Sequence, residues 1–309
     1  MIEVRSVSKW YGEKRAVSNL SFHIQKGEIV GLLGLNGAGK STILKTLGTL
    51  TQPSEGEAFI AGYSVRSQAK DVRKRIGYLP DTPPLYEEMS VFSYLTFVAK
   101  LKGVPSKRGR AAAMEAMGKT RLESVRDKKL GELSHGFKQR TNIAQALVHN
   151  PEVLILDEPI NGLDPIQIVE MRDLILSLRG DHTVMLSSHI LSEITKTCDR
   201  ILVIDQGQLV AEGTERELRG KADDQFIVEL SVQLDTEERF AMLERKLCAL
   251  SAVEQVGRAG EIFTLRAAHD VRPEIARIVV GEGFSLLALG RKEAELETLF
   301  LKLVSGERQ

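Results

Sequence analysis

Gly34-Leu35-Asn36-Gly37-Ala38-Gly39-Lys40-Ser41 fits the pattern G-x-x-x-x-G-K-[ST], the spacing of a phosphate-binding loop. Its flanks agree. Ile29-Val30-Gly31-Leu32-Leu33 reads as a short buried strand, and Thr42 to Leu50 as the opening of a helix. The glycines let the backbone curl so that several N–H groups converge on one point. The helix that follows turns its positive end toward the same point. In such a loop Lys40 reaches the β- and γ-phosphates of a nucleotide, and the Ser41 hydroxyl ligates Mg²⁺. A glycine-rich turn can arise by chance. One set between a buried strand and a helix points to nucleotide binding on an α/β fold.

The whole chain sets bounds on that reading. Its 309 residues suffice for one large domain and one small one. Hydrophobic residues make up 42% and charged residues 27%, as in ordinary globular proteins. The net charge of +0 argues against a nucleic-acid protein held by bulk electrostatics. Cys198 and Cys248 lie far apart in no metal-ligand spacing and read as ordinary thiols of a reducing compartment. Met1 to Arg15 carries charges throughout, so no signal peptide is expected. No apolar run approaches the ~18 residues needed to span a bilayer, so work at a membrane would need another protein to hold this one there.

Before the loop, Ile2-Glu3-Val4 and Leu20 to Ile24 alternate as strands, with Trp10-Tyr11-Gly12 in the turn between them. Tyr11 is either an exposed loop aromatic or a stacking surface for a base. After the loop, Glu57 to Ile60 reads as a strand. Ile76 to Asp81 is a strand running into a loop stiffened by Pro80, Pro83 and Pro84. Ser90 caps a predicted helix with Val91, Tyr94, Leu95, Val98 and Leu101 on one face, closed by Gly103. Lys107 to Met117 and Lys119 to Asp127 read as two further helices. Residues 82–150 thus form a helical insertion in an α/β pattern.

Leu133-Ser134-His135-Gly136-Phe137-Lys138-Gln139-Arg140 opens another helix, with Ser134 as a plain N-cap or as part of an anion site. Val153-Leu154-Ile155-Leu156 is a run fit for a central parallel strand, and it ends in Asp157-Glu158. Carboxylates at such a strand end lie where open α/β sheets bind ligands, and with the loop upstream they point to Mg²⁺. Asp164-Pro165 starts a helix stopped by Gly180. Thr183 to Ser187 is a strand that delivers His189 to the same sheet edge. Arg200 to Ile204 and Gln208 to Ala211 form a hairpin.

Past about Gly220 the pattern changes to β-α-β-β-α-β-α, ending in a stripe of Leu296, Leu299, Phe300 and Leu303. The order resembles a small ferredoxin-like domain and carries no catalytic constellation.

Taken together, the phosphate loop, Leu133-Ser134-x-Gly136-x-x-Gln139-Arg140, Asp157-Glu158-Pro159, Gly162-Leu163-Asp164 and Ser188-His189 stand in the order seen in ABC-transporter ATPase subunits. Residues 1–220 resemble one such nucleotide-binding domain, with 221–309 as an accessory α+β domain. Ile76 to Leu85 and His149 to Gln167 are similar to subunits of ABC-2-type exporters, closest to the gliding-motility and drug-export branch. The resemblance implies a P-loop NTPase of ABC type: a RecA-like core with an antiparallel β subdomain and a helical subdomain.

It also implies roles. Tyr11 would stack on adenine. Gly34, Leu35 and the stretch Asn36, Gly37, Ala38, Gly39, Lys40, Ser41 and Thr42 would wrap the phosphates of ATP. Asp157 would hold Mg²⁺ through water, Glu158 would polarise the attacking water, and His189 would touch the γ-phosphate. Ser134 and Gly136 would reach the γ-phosphate bound to a second copy of the chain, and Asp164 would lie at the seam. The family's usual signature is Leu-Ser-Gly-Gly-Gln; here His135 and Phe137 replace its third and fifth residues. Asp81 stands where the family usually has Gln, and it is a possible Mg²⁺ ligand. The implied partners are an ABC-2-type permease and a second copy, with no nucleic acid. The implied location is the cytoplasmic face of the inner membrane, reached only through the permease. The rival readings are a soluble ABC ATPase of DNA repair or translation, and a nucleotide-gated module with little hydrolysis. The first usually carries paired domains or long coiled-coil or zinc insertions, which this sequence lacks. The second is disfavoured by intact Asp157, Glu158 and His189.

Overall fold

The computed structural model describes residues 1–222, 226–233 and 236–291. The chain divides into two units, Met1–Glu215 and Arg216–Gln309.

The first unit holds two sheets. β1 (Ile2–Tyr11) and β2 (Lys14–Ile24) pair antiparallel through a tight turn at Gly12-Glu13. β1 therefore runs on through Trp10 and Tyr11, which the sequence places in the turn; Tyr11 pairs with Lys14 inside the ladder. β3 (Ile29–Leu33) leads through the glycine-rich loop to α1 (Lys40–Leu47). β4 (Glu55–Ile60) and β5 (Tyr63–Ser64) complete an antiparallel sheet of order β2-β1-β4-β5. Next come α2 (Ala69–Arg75) and β6 (Ile76–Leu79).

The helical insertion is α3 (Val91–Leu101), α4 (Ser106–Thr120) and α5 (His135–Leu147), and it has its own apolar core. Val91, Tyr94, Leu95 and Val98 are buried in that core, while Leu101 is left 68% exposed. The helix expected over Lys119 to Asp127 does not form. Arg121 takes a left-handed conformation (φ +55°), which ends α4, and only a 3₁₀ turn at Glu123–Val125 follows. One residue at positive φ breaks the i→i−4 ladder, and propensity alone does not reveal it.

β7 (Val153–Leu156) is buried at every position, as an all-apolar strand in a parallel sheet should be. Each such side chain contributes roughly 1.5–3 kcal/mol by leaving water. α6 (Pro165–Ser177), β8 (Thr183–Ser188), α7 (Leu191–Thr197), β9 (Arg200–Asp205) and β10 (Gln208–Gly213) follow, and α8 (Glu215–Ala222) starts at the last residue of this unit and belongs otherwise to the second. The six-stranded sheet has the order β10-β9-β3-β8-β7-β6, parallel except for β10. β3 sits inside it, paired on both sides. Val30 and Leu32 on one face join α1 and the antiparallel sheet in the main core. Among the described residues, no helix is long and apolar enough to cross a membrane.

The second unit contains β11 (Phe226–Val232), α9 (Glu237–Cys248), β12 (Val253–Ala259), β13 (Ile262–Ala267), α10 (Arg272–Gly281) and β14 (Leu286–Arg291). Its sheet is antiparallel, of order β12-β13-β11-β14. Phe240, Leu243 and Leu247 of α9 and Ile275 and Val279 of α10 fill its core. The helical stripe expected at Leu296 to Leu303 lies outside the described residues.

Candidate nucleotide site

Three neighbouring parallel strands end at one edge of the six-stranded sheet. β3 delivers the phosphate loop, β7 delivers Asp157 and Glu158, and β8 between them delivers Ser187, Ser188 and His189. A cleft of about 760 Å³ opens there, lined by Tyr11, Leu35, Asn36, Gly37, Gly39, Lys40, Ser41, Thr42, Asp81, Glu158 and His189. The sequence reading named every one of these. The cleft also takes Lys14, Arg15, Ala16, Asn161 and Gln206, which it missed.

The loop is packed as its glycines require. Gly39 holds φ +105°, and a Cβ there would lie 2.6 Å from the Ala16 carbonyl oxygen. Lys40 is only 6% exposed. Its Nζ donates to the Gly34 carbonyl at 2.7 Å and lies 3.4 Å from Oε1 of Glu158. The other Glu158 oxygen accepts from Nδ1 of His189 at 3.0 Å. Glu158 itself sits at φ +48°, a left-handed conformation that few side chains adopt.

Asp157 is 2% exposed. Its Oδ1 accepts from the Ser187 hydroxyl at 2.7 Å and from the Ser41 hydroxyl at 3.3 Å. Burial pushes this carboxyl above the usual range, and the two hydroxyls only partly offset it. Among the described residues no cationic side chain pairs with Asp157, so a cation beside it would relieve the cost of burying the charge. No cluster of three or more His, Cys, Asp or Glu side chains forms a metal cage among the described residues. One hydroxyl and one carboxylate suit an ion that keeps its waters and takes further oxygens from a substrate's phosphates, as Mg²⁺ does.

Tyr11 is 47% exposed, with the Lys9 ammonium 5.3 Å from its ring centroid. Asp81 is exposed at the cleft wall beyond β6. Ser134, Gly136 and Asp164 do not line the cleft. Ser134 caps α5 by accepting from the Phe137 amide, and Gly136 packs where a Cβ would meet the Gln167 carboxamide at 2.7 Å. Asp164 caps α6, accepting from the amides of Ile166 and Gln167 at 3.0 and 2.9 Å. His135 Nε2 lies 3.2 Å from the Asn161 carbonyl, tying the start of α5 to the loop after Glu158.

Known proteins agree with this geometry. Residues 17–161 match the family model described as ABC transporter. A Nod factor export ATP-binding protein I of Burkholderia thailandensis is 36% identical across 100% of this chain and 98% of its own length. A bacitracin transport ATP-binding protein of Enterococcus faecalis is 34% identical across 99% of this chain and 97% of its own. Among solved structures, an ATP-binding subunit of an ABC transporter superposes with a TM-score of 0.65 at 31% identity, covering 72% of this chain and 92% of that one. A dimeric ATP-binding cassette in a post-hydrolysis state, bound to ADP and Pi, gives 0.63 at 27% identity over 69% of this chain and 98% of that one. Similarity along the full length, on a site with this loop and these carboxylates, makes the chain a member of the ATP-binding, ATP-hydrolysing subunits of ABC transporters.

Proposed function

We propose that the chain energises an ABC-2-type exporter and works as a pair of copies, each completing the other's pocket. The observation that carries this is a split: Ser134, at an exposed helix start, and the buried Gly136 two residues on stand outside the cleft that Lys40, Glu158 and His189 line. Relatives named for Nod factor export and bacitracin transport support an exporter, and the dimeric cassette supports pairing.

In this reading adenine stacks on Tyr11 and the loop amides of residues 36–42 hold the phosphates. Water attacks the γ-phosphorus in line, the bond to the β-phosphate oxygen breaks, and ADP and phosphate result. Glu158 accepts the water's hydrogen bond, His189 holds Glu158 and faces the γ-phosphate, and Lys40 balances the charge that develops. Ser41 and Asp157, with Asp81 nearby, hold Mg²⁺. The ion would supply positive charge that offsets the charge developing on the phosphates. Ser134 and Gly136 of the second copy close the pocket over the γ-phosphate, and Asp164 lies at the seam.

Docking of a permease is supported by the apolar surface of the helical insertion. Tyr86, Phe97 and Leu101 are exposed there, the first two in edge-to-face contact at 5.7 Å. The chain then sits on the cytoplasmic face of the inner membrane, held by that permease. The antiparallel order β12-β13-β11-β14 supports a ferredoxin-like accessory domain after an ATPase domain of residues 1–220.

The test is complementation. Lys40→Ala and Ser134→Ala are each expected to be inactive alone. Mixed, a heterodimer keeps one pocket built from two intact halves, and phosphate release returns. A mixture that stays inactive, together with ATP-bound protein that remains monomeric by light scattering, would overturn the paired reading.

A further inference from the structure

Gln206 lines the nucleotide cleft from an unexpected place, the turn of the β9–β10 hairpin. The turn has two central residues, Gln206 and Gly207, at φ +46° and +77°. Turns of this hand favour Asn, Asp or Gly first, so a glutamine there carries a conformational cost. The turn is also fixed in place. The Gly207 amide donates to the Ala38 carbonyl of the phosphate loop at 2.9 Å, and its carbonyl accepts from the Ser18 amide at 2.8 Å. A Cβ on Gly207 would meet the Ala16 carbonyl oxygen at 2.7 Å, the same atom that a Cβ on Gly39 would meet at 2.6 Å. Phosphate loop, β2 and hairpin turn thus converge on the Ala16 carbonyl. Gln206 stands on this brace with its side chain exposed, and its carboxamide makes no hydrogen bond among the described residues.

Position along the cleft says what that carboxamide meets. Tyr11 marks one end and the phosphate loop the other. β2 runs from Lys14, the partner of Tyr11, through Arg15 to Ala16, whose carbonyl abuts both Gly39 of the loop and the hairpin turn, so Gln206 stands on the base side of the loop where β2 leads back to Tyr11. The part of a nucleotide between base and phosphates is its ribose. The vicinal hydroxyls of a ribose both donate and accept hydrogen bonds, and so does a carboxamide. Arg15 is engaged by the Trp10 ring and the Ser8 hydroxyl. Lys14 is a donor only, suited to phosphate. We infer that Gln206 hydrogen-bonds the ribose hydroxyls of the bound nucleotide and so selects ribonucleotides. The inference rests on the ATP-binding reading above.

The experiment is a pair of titrations of the full-length chain with MgATP and with Mg-2′,3′-dideoxyATP, for wild type and Gln206→Ala. One hydrogen bond in a wet cleft is worth roughly a two- to tenfold change in affinity. Gln206→Ala should lose that factor for ATP and little for the dideoxy analogue, because the analogue lacks the hydroxyls. Gln206→Gly, which suits the positive φ, should show the same pattern with no loss of thermal stability. Equal losses for both nucleotides, or no loss for ATP, would overturn the ribose contact alone. A wild-type chain that binds neither nucleotide would overturn this assignment and the ATP-binding reading together.

Discussion

The Ser187 hydroxyl and Oδ1 of Asp157 are joined by a 2.7 Å hydrogen bond from one strand end to its neighbour. The same hydroxyl accepts the amide of Glu158 at 2.9 Å. One side chain thus aims the carboxylate proposed to hold Mg²⁺ and pins the backbone of the one proposed to polarise water. Ser187→Ala leaves a buried amide without its partner, at about 1–3 kcal/mol. It should raise the Mg²⁺ concentration needed for half-maximal ATPase by roughly tenfold. A magnesium titration of phosphate release that coincides with wild type would remove Ser187 from this role.

Both oxygens of Glu158 are held, one by Lys40 and one by His189. Glu158→Gln keeps the shape and loses the charge. ATP binding should persist, turnover should fall by ~10²–10⁴-fold, and dimers should accumulate with ATP but not with ADP. Turnover measured by phosphate release at the wild-type rate would refute the role.

Two glycines of the phosphate loop should respond differently to one added carbon. Gly39→Ala drives a Cβ to 2.6 Å from the Ala16 carbonyl oxygen at φ +105°, so backbone must move and nucleotide affinity should collapse. Gly37→Ala, at φ +86° with nothing within 4 Å, carries only the torsional cost of about 1–2 kcal/mol. Thermal melts with and without ATP separate the two outcomes, and identical behaviour would contradict the packing described here.

His149 gives acid sensitivity at the opposite edge of the sheet. Burial pushes its imidazole down to about 4, and the Lys102 ammonium acts in the same direction. In the unfolded chain it takes up its proton near the usual ~6.5. From there down to about pH 4 the unfolded state holds more protons, so stability falls as pH falls, by at most ~1.4 kcal/mol per pH unit. Above that range the group is neutral in both states and its contribution is complete. His149→Gln can still donate to the Ile76 carbonyl, which Nε2 reaches at 3.0 Å. Urea midpoints across pH 4–7 should show a flatter dependence in the variant; an unchanged slope would assign the sensitivity to other groups.

Much of the site was legible because its parts are short, local and chemically loud. A glycine-rich loop between an apolar strand and a helix, and two acids ending an apolar run, need no knowledge of distant neighbours. What escaped the sequence depends on such neighbours. Gln206 lies far along the chain from Tyr11, and only the β9–β10 turn braced on Ala38 brings it into the cleft. Asn161 and Lys14 look like ordinary loop and strand-end residues until the strands are assembled. Ser187 could have been found, since it leads directly into Ser188-His189 on a strand aimed at the same edge. The missing helix after Lys119 has a local cause, the left-handed Arg121, that residue type does not announce. Leu101 completes a sound helical stripe yet stays in solvent, because the core of the insertion ends before it.

Glu158 occupies a backbone region that costs a side chain about 1–2 kcal/mol. A glycine would relax there. Glu158→Gly would nonetheless strip the buried Lys40 ammonium of its carboxylate and His189 of its partner, so it should melt lower than its parent despite the relaxed backbone. The carboxylate is thus kept in an unfavourable backbone region by the two side chains that grip it, so the strain and its restraint rest on a single residue.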